Sequence, residues 1–154
     1  MPKADAPPAR DDKGPYLGAT FHVRISGTAS TRRAAGLPVA RVEWGPFPVP
    51  QSDVPKTPAL GTGDGLPARH VLLCRAVTGA TDLADWWRTE RAPKRSTART
   101  VVVELIDPKS AAPLLTWTFR DCRVIQLSHS PLDALVATII TESLVFEYAD
   151  VDIN

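Results

Sequence analysis

Ser128, His129, Ser130 and Asp133 lie within the run "SHSPLD" and supply the residue types of a nucleophile, a general base and its orienting acid. Such a triad is defined by geometry, and neighbouring positions in one turn do not ordinarily converge on a reacting atom. The run reads as a turn. His22, His70 and His129 are far apart and lack the spacing of metal ligands, so no metal or other cofactor is expected. Cys74 and Cys122 each sit alone in a strand-like segment without a CxxC pattern, which predicts buried free thiols rather than a disulfide framework or a zinc site. "GTGDG" at Gly61 to Gly65 is followed by neither lysine nor helix and cannot cradle a phosphate.

Charge offers little more. "RTERAPKRSTAR" gathers Arg88, Arg91, Lys94, Arg95 and Arg99, the one stretch suited to phosphate contacts, yet it adds neither base-reading aromatics nor a groove-filling helix. It reads as a solvated turn or a contact with an acidic neighbour. Over the whole chain 18 basic residues meet 17 acidic ones, a net charge of +1, so no global field draws the chain to nucleic acid or anionic lipid. The N-terminal "MPKADAPPARDDKGP" lacks a signal peptide's apolar run, and no membrane-spanning stretch is present; a cytoplasmic protein is expected.

The elements that hold these residues are mostly strands. At 154 residues and 44% apolar composition, one domain over residues 16–154 is expected after a flexible tail, residues 1–15, rich in proline and poor in large apolar side chains. "ATFHVRIS" alternates Phe21, Val23 and Ile25 with polar positions, the period of a half-buried strand. "VARVEW" repeats the alternation before "GPFPVP" stops it. Seven prolines between Pro38 and Pro67 predict a long extended loop over 38–67, of the kind that is functional or disordered. "RHVLLCRAV", "RTVVVELI", "PLLTWTFRDCRVIQL" and "ALVATIITESLVFEY" are the remaining predicted strands, giving six.

The last of these, residues 134–148, would span roughly 50 Å if straight, against a diameter of about 40 Å for a compact chain of this size. It must bend, break or project. Bending closes sheets, so the expected fold is mainly β: a two-sheet or split antiparallel β-barrel with one short flanking helix. Apolar side chains on both strand faces at Val101 to Val103 and Thr138 to Ile140 need a further cover, which the helix can supply in part and neighbouring copies of the chain for the remainder.

The helix is "TGATDLADWWRTERAP". Thr78 or Thr81 can cap it, acids open it and arginines close it. On a helical wheel centred on Leu83, Trp86 falls about 60° to one side and Trp87 about 40° to the other, one apolar arc. Packing on the sheet is the preferred reading, and an aromatic platform for bases or sugars is the alternative.

With strand, tryptophan-bearing helix and strand in order, "RHVLLCRAVTGATDLADWWRTERA", "RTVVVELIDPKSAAPLLTWTFRDCRVIQLSHSPLDAL" and "TESLVFEYADVDI" resemble the tail tube proteins of contractile phages and related injection systems. Their pattern has a helix with a "LWDWY"-like core and a "W.F" strand, matched by Leu83, Trp86 and Trp87 and by Trp117 and Phe119, all as structural positions. The resemblance covers Arg69 to Ile153 well and residues 19–27 more weakly. It implies no enzymatic activity and a ring of six copies. Rings would stack into a hollow tube inside a contractile sheath, with adjacent tube layers, sheath, baseplate and spike proteins as partners. Where the family has an "SGL"-like segment that contacts the next ring, this chain has "VEWGPFPVPQSDVPKTPALGTGDG", making Val42, Trp44 and Phe47 a candidate inter-ring loop. A tube initiator joining tube to spike and baseplate is the alternative, and a monomeric nucleic-acid-binding barrel the reading outside the class.

Overall fold

A computed structural model describes residues 18, 20–26, 38–48, 65–92 and 98–154. The predicted tail, residues 49–64 of the predicted loop, and Lys94 and Arg95 lie outside the described residues. The described chain forms seven strands and one helix: β1 (Phe21–Ile25), β2 (Arg41–Trp44), β3 (His70–Ala76), α1 (Asp82–Arg91), β4 (Arg99–Ile106), β5 (Pro113–His129), β6 (Thr141–Glu147) and β7 (Asp150–Ile153). Hydrogen bonds join the strands in the order β1-β4-β5-β6-β3-β2, with β7 on β5, and every pair is antiparallel.

β5 organises the fold. Its 17 residues would run roughly 55 Å if straight, too long for one compact sheet. It changes partners instead. Up to Cys122 it pairs with β4, and over Trp117–Arg120 with β7 on its other side, whereas from Arg123 it pairs with β6. Asp121, at the changeover, has φ 53°, a left-handed backbone that aspartate tolerates better than most residues, and a bulge follows between Val124 and Gln126. The two halves fold over one another, since Trp44 on β2 stacks 4.8 Å, centroid to centroid, from Trp117 in the first half of β5. No described residues of β1 and β2 pair with each other, so the barrel is split rather than sealed.

One core runs between the halves. Val23, Ile25, Val71, Leu73, Leu83, Trp86, Val101, Val103, Phe119, Cys122, Leu144, Phe146 and Tyr148 are buried together. Rings continue across it from Trp86 through Phe146, Phe119 and Phe47 to Trp44, at centroid separations of 5.9, 5.9, 6.4 and 6.1 Å. Gly45 ends β2, where a Cβ would stand 2.0 Å from the Pro67 carbonyl oxygen, so only glycine lets that backbone pass.

Several expectations need correction. Val42 and Trp44 lie on β2, the strand that the alternation of "VARVEW" predicts, so the loop expected over 38–67 does not include them. The strand expected over 134–148 begins only at Thr141, because Leu135, Val136 and Thr138 donate their N–H groups within the preceding excursion rather than to a neighbouring strand. The length argument belongs to β5. Val102 faces away from buried Val101 and Val103 and is half-buried, as expected, whereas Thr138 to Ile140 lie outside any strand. β7 departs from the expected six strands; its ladder with Trp117–Arg120 of β5 holds it, and Arg120 adds exposed ion pairs, Nη1 3.2 Å from Asp150 Oδ2 and Nη2 3.5 Å from Asp152 Oδ2.

Candidate assembly interface

The connection from β5 to β6 is where the apolar surface emerges. Ser130 N donates to the Thr141 carbonyl at 2.9 Å, and Thr141 N donates to Ser130 Oγ at 2.9 Å, closing the base of a ten-residue excursion over residues 131–140. Asp133 shapes its tip, accepting from Leu135 N at Oδ1 (2.9 Å) and from Val136 N at its carbonyl (3.4 Å). Thr138 N donates to the Val136 carbonyl at 3.0 Å, and Val77 N to the Ile140 carbonyl at 2.8 Å. This built tip leaves Leu132, Leu135, Val136 and Ile139 exposed by 84, 95, 52 and 78%.

Directly below the tip sits a buried charge cluster. Arg75 Nε donates to Glu142 Oε1, Nη2 donates to Asp82 Oδ1 at 2.6 Å and to the Ala80 carbonyl at 3.2 Å, and His129 Nε2 lies 3.5 Å from Glu142 Oε2. Burial opposes the charge on Arg75, but its hydrogen bonds and attraction to Asp82 and Glu142 outweigh that and raise its pKa. The cluster joins β3, the first residue of α1 and β6 at the root of the hairpin.

The helix begins at Asp82, after Thr81, whose hydroxyl donates to Asp85 Oδ2 at 2.9 Å rather than capping a backbone donor. Leu83 and Trp86 are buried, and the Arg99 guanidinium stands 5.4 Å from the centre of the Trp86 ring. Burial lowers the Arg99 pKa. Trp87 departs from the expected arc: it is half-buried and covered by Arg91, 4.5 Å from its ring centre, rather than joining the core. The helix buries Leu83 and Trp86 alone. Arg88 Nη1 donates to Asp85 Oδ1 at 2.7 Å. Of the basic stretch, the three described arginines are thus each engaged within the chain.

Trp117 is half-buried against the core and Phe119 fully buried within it. Val42, Trp44 and Phe47, the candidate inter-ring positions, are also half-buried against the core. Ser128 and His129 are strand neighbours and therefore face opposite sides of the sheet, while Ser130 and Asp133 spend their oxygens on backbone donors of the excursion. The structure does not assemble them into a triad. Among the described residues no three His, Cys, Asp or Glu side chains come together as metal ligands, and both cysteines are free. Burial pushes the Cys122 thiol up to about 12.

Sequence reasoning missed the Arg75 cluster, although period two carried the signal: Arg75 shares the inward face of Val71 and Leu73, and Glu142 that of Leu144 and Phe146. It also read the apolar tip as strand.

No family model and no curated protein matches the chain. Solved structures do. A chain of the PVC sheath-tube complex, an extracellular contractile injection system in its extended state, superposes with a TM-score of 0.67 at 16% identity, covering 93% of this chain and 93% of that chain. A chain of the PVC sheath/tube terminator gives 0.68 at 15% identity, covering 94% and 99%. One from the anti-feeding prophage baseplate gives 0.66 at 18% identity, covering 92% and 96%. The architecture is therefore a split β-barrel with one flanking helix, and more particularly it is the phage-like tail tube fold.

Proposed function

We propose that this chain is a structural, non-enzymatic subunit of the inner tube of a contractile phage tail-like injection system, six copies forming a ring and rings stacking inside a contractile sheath. The observation that carries the reading is mutual coverage: the tail tube fold takes in nearly all of this chain and nearly all of the matched chains. The exposed apolar tip agrees with it, because a surface of this kind needs a cover that the described chain does not provide. Ring closure is heterologous, each copy offering different surfaces to its two neighbours.

The match to a chain of a baseplate assembly favours a second reading, a tube initiator joining tube to spike and baseplate. Negative-stain microscopy of the purified protein separates the two. Rods of stacked rings support the bulk tube subunit and single rings the initiator; a monomer at every concentration, even with baseplate proteins added, overturns both.

A further inference from the structure

We infer that the β5–β6 tip is the element by which one copy of this chain grips the next, inserting Leu132, Leu135 and Ile139 against the Ile125 edge of its neighbour. The inference rests on the tube reading above and specifies the contact.

Seven large apolar residues are exposed among the described residues, and four of them, Leu132, Leu135, Val136 and Ile139, crowd onto the tip. Residues 130–140 carry a single charge, Asp133, whose Oδ1 accepts from Leu135 N. The tip's form is set by its own hydrogen bonds, so little ordering remains to be done on docking. Val77, also exposed, is tied to the tip's base by its N–H to the Ile140 carbonyl.

A second copy is the occupant that the chain itself can supply. Heterologous closure needs two unlike surfaces on one molecule, and Ile125 furnishes the other. It is 52% exposed and sits at the bulge of the β5 stretch Arg123–His129, which has β6 on one side and no described strand on the other. An approaching chain meets an apolar side chain there with no described strand to displace. The tip exposes on the order of 500 Å², towards the top of the roughly 300–600 Å² range for the largest patch on a monomer. Burying the whole tip against a receiving face of equal area would remove about 1,000 Å², the floor for a specific interface, whereas a partner covering the tip of only one copy per ring would leave the others bare.

The test uses the full chain. Sedimentation velocity compares wild type with Leu135→Ser/Ile139→Ser and, separately, Ile125→Ser. Association weaker by on the order of a hundredfold in both variants, with unchanged circular dichroism and unfolding midpoint, is the expected result. A photoreactive benzoylphenylalanine at position 135, in an equal mixture of ¹⁴N- and ¹⁵N-labelled chains, should yield mixed-isotope cross-links to the peptide containing Ile125. Wild-type rings with variants that assemble equally well overturn the tip contact and leave the tube reading standing. Mixed-isotope cross-links elsewhere overturn the Ile125 edge, and tip-dependent binding to phosphatidylglycerol vesicles in place of self-association would assign the tip to a lipid surface. A monomeric wild type with no intermolecular cross-link overturns both proposals.

Discussion

Arg75 and Glu142 are direct partners in the β3–β6 ladder, and both side chains turn into the protein, where they bond to each other. Two ions desolvated together gain little net stability, but either one left alone is costly. Arg75→Met should therefore lower stability by about 3–5 kcal/mol, and Arg75→Met with Glu142→Leu should recover part of the loss, the remainder reflecting Asp82, which loses the same partner in both variants. Urea unfolding at pH 7 measures both; equal midpoints for the single and double variants would show that charge coupling is not what holds this site.

The adjacent tryptophans should behave differently. Trp86 is buried against Phe146, whereas Trp87 is half-exposed under Arg91. Trp86→Ala should cost about 3–5 kcal/mol and Trp87→Ala about 1 kcal/mol. Paired denaturation curves decide it, and a larger loss at Trp87 would mean that the helix is rotated from the face described.

Alkaline pH should weaken the fold through Cys122. Its thiol titrates near 9.0 when unperturbed and near 12 when buried, so between these values the folded state holds a proton that the unfolded chain has released. Stability is then intact below pH 9 and falls as pH rises towards 12, by at most about 1.4 kcal/mol per pH unit from this group. Burial also raises the Tyr148 pKa, which acts in the same direction. Cys122→Ala should flatten the decline relative to wild type in melts recorded across that range.

Asp121 tests the changeover in β5. At φ 53° a β-branched side chain is strained, so Asp121→Val should cost about 1–2 kcal/mol, while Asp121→Gly should stay within about 0.5 kcal/mol of wild type. Equal stability of the two variants would remove the backbone argument for where β5 turns.

Much of the fold was legible because strand alternation records which face is buried. Val23 and Ile25, Leu144 and Phe146, and the half-buried Val42 and Trp44 all follow it. The same period carried Arg75 and Glu142 inward, but hydropathy alone gave no reason to seat ions in an apolar row. The change of partners at Asp121 was hidden because it is a backbone event in a run of strand-forming residues. At the tip, Leu135 and Ile139 look like core residues, since apolar composition does not distinguish a surface covered within one molecule from one covered by another. Trp87 was misjudged because the wheel gives angles, not how wide a strip of sheet lies beneath the helix.

The dual membership of β5 also bears on how the molecule comes apart. A strand whose first part belongs to one sheet and whose second part belongs to the other gives neither sheet an independent existence, so heating should produce one melting transition seen alike by tryptophan fluorescence and circular dichroism. β1 must wait for β4, some eighty residues downstream, so folding should be slow for a chain of this length.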